Sequence, residues 1–182
     1  MLPRLIALLL ACLTTPQIHG DQTDDRLSDL FAILQETQDT REIQVTENRI
    51  WEIWLQHANA DVQQLMLVGT QRMNGGRYAE AMVVFNRLTE AFPDYAEGWN
   101  KRATLHYVLG NLDASIEDIE KTLELEPRHF GALSGLGMVY IQRKELTKAK
   151  QTFEELLAVH PNSPNAQQNL ELVEEQLRFS VI

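Results

Sequence analysis

The sequence predicts an all-α fold, an α-solenoid in which helical hairpins stack one after another. Three observations carry this reading. Pro93, Pro127 and Pro161 stand 34 residues apart. Ala81, Ser115 and Ala149 repeat at the same interval as a column of small residues, and so do Gly69, Ala103 and Gly137. Phe85, Ile119 and Phe153, and likewise Leu65, Trp99 and Leu133, repeat as columns of large apolar residues. A fixed period of a few tens of residues marks a unit that cannot bury its apolar face alone and buries it against its neighbours.

Taken from the N-terminus, residues 1–20 read as an export signal. Arg4 gives a positive start, and Leu5 to Leu13 is an unbroken apolar run. The run is shorter than the roughly 20 residues needed to cross a bilayer and fits a signal-peptide core. Cleavage is expected after Gly20. Leu9-Leu10-Ala11-Cys12 also resembles a bacterial lipoprotein box, in which Cys12 would carry the lipid and tether the chain to a membrane. Residues 21–61 form a degenerate helical hairpin. Leu27, Leu30, Phe31 and Leu34 make one apolar stripe; Ile43, Ile50, Trp51, Ile53, Trp54, Leu55 and Ala58 make a broader one. The spacing is that of a further repeat, but Gln35 and Glu47 stand in its small-residue columns. Trp51 and Trp54 are expected to bury the open end of the array, because terminal units must shield the last apolar face.

The three regular units are 62–95, 96–129 and 130–163, with no insertion or deletion. The first helix of each is expected at roughly 62–74, 96–109 and 130–143, and the second at roughly 78–91, 112–125 and 146–159. Gly75-Gly76 and Gly110-Asn111 supply the inner turn of two units, since both residue types tolerate left-handed backbone. Lys144-Glu145 makes that turn in the third, and each proline stops a second helix. Residues 164–182 read as a capping helix and tail. Ser163 can cap it and Pro164 suits its first turn; Ala166, Leu170, Val173 and Leu177 give its apolar stripe. Phe179, Val181 and Ile182 form an apolar tail expected to dock or to meet a partner.

These columns resemble the tetratricopeptide repeat (TPR), whose pattern runs Trp, Leu-Gly, Tyr, Ala, Phe, Pro. Trp99 and Tyr140 keep the large aromatics, Leu136-Gly137 the adjacent pair, and Ala81, Phe85 and Pro93 the second half. The likeness covers 102 of 182 residues in unbroken register. Arg72 and His106 stand where Tyr140 does and are expected to reach solvent along their stems. Arg102 replaces Val68 and Leu136 and needs an acidic partner such as Asp118. The resemblance implies a short right-handed superhelix with a partner peptide or helix held on its concave side. Met66, Thr70, Met73, Asn100, Thr104, Tyr107, Ser134, Met138 and Ile141 line that candidate groove, an apolar to neutral surface with pliable methionines. It would read a partner by shape and backbone hydrogen bonds. Family members that hold the acidic tails of cytosolic heat-shock chaperones use a lysine, asparagine and arginine clamp. Met66, Thr70, Leu67, Gly131 and Gly135 occupy the matching places here.

The remaining residues argue against catalysis. The formal net charge of −10 repels nucleic acid and anionic lipid. One cysteine cannot form an internal disulfide or a redox pair. Gly131, Gly135 and Gly137 crowd on a helix with no strand before it, so they read as close helix packing and not as a phosphate loop. The histidines at 19, 57, 106, 129 and 160 are scattered. Glu117, Asp118 and Glu120 read as a solvated outer face. No enzyme activity, cofactor, metal, nucleic acid or small-molecule substrate is expected. The reading is a scaffold or adaptor for a protein or peptide partner in the periplasm; the alternative is an accessory or regulatory subunit of an envelope enzyme or secretion complex. Intact mass of the protein from its native host should place its first residue at Asp21. A lipidated Cys12 at the N-terminus would select the lipoprotein instead, and a full-length chain would exclude both.

Overall fold

The structure is a computed structural model that describes residues 20–179; the expected export segment 1–19, Cys12 included, and residues 180–182 lie outside them. Nine helices follow among the described residues: α1 (Arg26–Glu36), α2 (Thr40–Leu55), α3 (Ala60–Asn74), α4 (Tyr78–Ala91), α5 (Ala96–Val108), α6 (Leu112–Leu125), α7 (Phe130–Gln142), α8 (Leu146–Val159) and α9 (Pro164–Phe179). The second helices of the units, α4, α6 and α8, have the ranges the repeat predicts. Helix α3 starts two residues earlier than its unit, because the Asn59 side chain accepts from the Asp61 N–H and caps it. No helix among the described residues is long and apolar enough to cross a membrane.

The small-residue columns bring the helices of each hairpin together. At Gly69 an added Cβ would lie 2.5 Å from the Phe85 ring, and at Gly137 2.5 Å from the Phe153 ring. In the middle unit Ala103 takes the glycine's place, and Ser115 Oγ donates to the Ala103 carbonyl at 2.9 Å. The inner turns use left-handed backbone at Gly76 and Gly110; Lys144 does the same in the third unit at φ 61°, where a side chain is normally disfavoured.

Arg102 finds the partner its position demands. Its guanidinium donates to both Asp118 carboxylate oxygens, at 2.8 and 2.6 Å, and to Asn86 and Thr89 of the preceding hairpin. Asp118 is accordingly buried, so of the expected solvated acidic face only Glu117 and Glu120 are exposed. His106 is partly exposed, its Nε2 3.9 Å from Asp118 and its Nδ1 buried, and burial holds its pKa below the usual histidine value. Arg72 keeps its head partly in water beside Glu80.

The hairpin α1–α2 departs most from the sequence expectation. It does not cover the open end at α3. It folds back along the edge where one unit joins the next and packs on α5, α7 and α8. The Trp54 indole, 1% exposed, stacks on His129 with centroids 4.1 Å apart. Phe31 meets Phe130 edge-on at 6.4 Å. Tyr95 Oη donates to the Trp54 carbonyl at 2.8 Å. Gln35 donates to the Ala158 and Val159 carbonyls, 123 and 124 residues away, and Asn162 donates to the Thr37 carbonyl. Open end and hairpin are thus separate matters. The end carries its own polar surface: Gln64 and Gln71 are exposed where the later units bury Gly98 and Ala132, and Leu105 and Val139.

At the other end α9 packs on α8 and buries Ala166 and Val173, and Lys150 pairs with Glu174. Phe179 does not dock within the chain; it is 69% exposed. Replacing Gly137 with Leu should force the Phe153 ring aside and destabilise the fold by roughly 1–3 kcal/mol or more. Thermal unfolding followed by circular dichroism measures this, and an unchanged midpoint would contradict the packing described.

Candidate binding groove

The first helices α3, α5 and α7 line one side of the array, and a cavity of about 280 Å³ opens between α5 and α7. Its walls include Asn100, Thr104, Tyr107, Ser134 and Met138, with Ala103, Ser115, Ile119, Gly131 and Gly135 as floor. None of these side chains is charged. The opening exists because α7 carries the small residues Ser134 and Gly135 on the face turned to α5; at Gly135 an added Cβ would have only Ile119 Cδ1 near it.

Five of the nine candidate residues therefore come together. The other four do not line this cavity. Met66 is 5% exposed and packs with Val62, Phe85 and Leu105 inside the array. Met73 packs against that same cluster, and Ile141 against the cluster around Phe153 and Leu156. Thr70 is half-buried. A repeat register locates a stripe, but the twist of each unit against the next decides which members remain accessible.

Helix α2 contributes a wall that belongs to no repeat. Trp51 lies directly on the α7 backbone: a Cβ at Gly131 would sit 2.5 Å from its ring. The same ring has the Lys101 Nζ 5.7 Å from its centroid. A second, more polar cavity of about 330 Å³ lies here, between α2, α5, α7 and the start of α9. Glu47, Trp51, Lys101, Ser163 and Asn165 are on its walls, and it shares Asn100, Thr104, Gly131 and Ser134 with the apolar one. The two make one continuous groove, apolar at the middle unit and polar under α2. Glu47 and Trp51 were missed as groove residues because the hairpin was expected at the open end.

Beneath this wall is a buried polar network. The Glu97 carboxylate, 1% exposed, accepts from Asn100 Nδ2 at 2.8 Å and pairs with Lys101 Nζ at 3.0 Å. His129 Nε2 lies 3.0 Å from Oε2, the same oxygen that accepts from Asn100. His129 Nδ1 accepts the Ala132 N–H and caps α7, so the proton sits on Nε2 and is donated to Glu97. Burial alone would push the Glu97 carboxyl up; the His129 hydrogen bond and the Lys101 charge outweigh it and hold it low. Opposite, His160 Nδ1 lies 3.4 Å from Glu47 Oε1. Burial lowers the pKa of His160 and raises that of Glu47.

Comparison with known proteins places this architecture. Tetratricopeptide repeat models match residues 69–124 and 107–171. A TPR repeat-containing protein of Rhizobium etli is 33% identical over 152 residues, which is 84% of this chain and 74% of that protein. Human sperm-associated antigen 1 is 32% identical over 112 residues, 62% of this chain but only 12% of that protein. Among solved structures, the first TPR domain of Spaghetti (RPAP3) bound to the HSP90 peptide SRMEEVD superposes with a TM-score of 0.62 at 22% identity, covering 65% of this chain and 94% of that one. The Yersinia enterocolitica type III secretion chaperone SycD, in complex with a peptide of the translocator YopD, gives a TM-score of 0.61 at 15% identity, covering 65% and 96%. The chain belongs to the tetratricopeptide repeat family.

The two glycines of the groove floor should respond differently to substitution. Gly131→Ala meets the Trp51 ring and should loosen the hairpin, lowering the melting temperature and altering tryptophan fluorescence. At Gly135 an added Cβ has only Ile119 Cδ1 near it, at 3.7 Å. Gly135→Ala should therefore be neutral or stabilise by up to about 1 kcal/mol through helix propensity. Equal effects at both positions would contradict the placement of Trp51.

Proposed function

We propose that this chain is a non-catalytic binding module that holds a segment of a partner protein in the groove between α5 and α7. The observation that carries this is the uncharged cavity itself. It is open to solvent, shaped by residues too small to fill it, and edged by Tyr107 and the exposed Met138. An apolar cleft with a few fixed polar groups is the common form of a ligand site, and aromatic and methionine side chains are favoured at protein interfaces. The two solved structures above hold peptides, according to their own descriptions, and that supports a peptide as the class of ligand here. The N-terminal apolar run supports export to the cell envelope as the place where binding occurs, with the chain acting there as a scaffold or adaptor.

Aromatic anchors at an interface centre commonly contribute about 2 kcal/mol or more on truncation. Tyr107→Ala with Met138→Ala should keep the helical signal and cooperative melting while losing the partner captured by the native protein. Glu117→Ala with Glu120→Ala, on the exposed face of α6, should retain it. Capture that survives the groove changes and fails with the α6 changes would move the site to the convex side.

A further inference from the structure

Resting on that groove reading, we infer that the bound segment carries a lysine or arginine next to a large apolar side chain, with the cation received by Glu47 under helix α2. The apolar notch between α5 and α7 takes the apolar side chain, and the adjoining polar cavity takes the cation. The two share Asn100 and Thr104, so they lie within reach of neighbouring residues on one peptide.

The charge balance of the polar cavity points to a cation. Its walls carry Glu47 and Lys101. Lys101 is already engaged by Glu97 at 3.0 Å, within its own helix. Glu47 has no such counterpart. Among the described residues its ion-pair contact is His160 Nδ1 at 3.4 Å, and His160 is 1% exposed with its Nε2 unpartnered. A charged imidazolium there would strand a proton in an apolar surrounding, and burial accordingly lowers the His160 pKa. The neutral ring leaves the Glu47 charge uncompensated. The carboxylate is only partly solvated, its side chain 24% exposed, and burial raises its pKa. Removing a carboxylate from water without a paired cation is costly, and a ligand ammonium or guanidinium would offset that cost. The charge of the whole chain, −10, favours the approach of a basic segment as well.

The test pans a random-peptide phage library on the full chain, on Glu47→Gln and on Tyr107→Ala/Met138→Ala. The native chain should enrich sequences with lysine or arginine adjoining leucine, methionine or phenylalanine. A synthetic peptide of that consensus should bind about tenfold more weakly, and with less salt dependence, when its cation is replaced by glutamine. That replacement should cost nothing in Glu47→Gln, a cycle that a structural effect of the substitution alone would not reproduce. Enrichment of acidic or cation-free peptides by the native chain overturns the inference and leaves the groove reading standing. So does an undiminished cation effect in Glu47→Gln. If the native chain enriches no peptide, or if Tyr107→Ala/Met138→Ala enriches the same peptides, the groove reading fails and this one with it.

Discussion

A buried helix end must find partners for backbone groups that the helix itself leaves unpaired, and in this chain the ends of successive hairpins fall along one edge. Much of the structure answers that requirement. Trp99 Nε1 donates to the Pro93 carbonyl, and Gln167 donates to the Pro161 carbonyl two units further on. At the start of α7 the Ala132 N–H is met by the His129 ring. The carbonyls at the end of α8 are met from outside the array, by Gln35 of α1. With these groups met, an apolar hairpin covers the edge through Trp54, Phe31 and Trp51, and the Trp54 Nε1 is buried there without a hydrogen-bond partner.

The repeat itself was legible in the sequence because its columns record contacts inside one hairpin, between residues about sixteen apart. Gly69 faces Phe85 and Gly137 faces Phe153, and Arg102 reaches Asp118. Contacts of that range reappear in each unit, so three copies testify to the same geometry. The docking of α1–α2 is made once, over a separation that no period reports. Amphipathic stripes say that a face is buried and leave open what buries it. Two local signals did bear on the outcome. Gln64 and Gln71 make the open end polar, which removes the need for a cover. Tyr95 and His129 stand just before α5 and α7, where small polar caps are usual, and both are buried against the hairpin. Gln35 and Glu47, read as damage to a repeat, are the residues with which the hairpin meets the end of α8 and His160.

The groove was legible to the same extent. Thr104, Tyr107 and Met138 could be assigned from the register, because a first helix offers one stripe to the concave side. Met66 could not be told from them, since its burial depends on how α3 leans on the next unit. The wall formed by Glu47 and Trp51 lies in another part of the chain altogether. The groove is thus composite: its floor is repeat backbone exposed by glycine, and one side is a helix that the repeat does not encode. Glu47 brings a carboxylate from that side, opposite Lys101 of α5, so a surface that reads as neutral in the candidate stripe is not neutral as a whole.

The hairpin also changes the order in which the molecule can be completed. A repeat array needs only contacts between neighbours and can assemble unit by unit as it emerges. Here the first helices of the described chain rest on residues as far along as Ala158 and Val159. Leu27, Phe31 and Trp54, synthesised early, have no final resting place until α8 exists. Closing such a long loop is entropically uphill until its contacts form, and contacts of this range slow folding. The hairpin is made first and seated last, and until then its aromatic face remains available to whatever else is nearby.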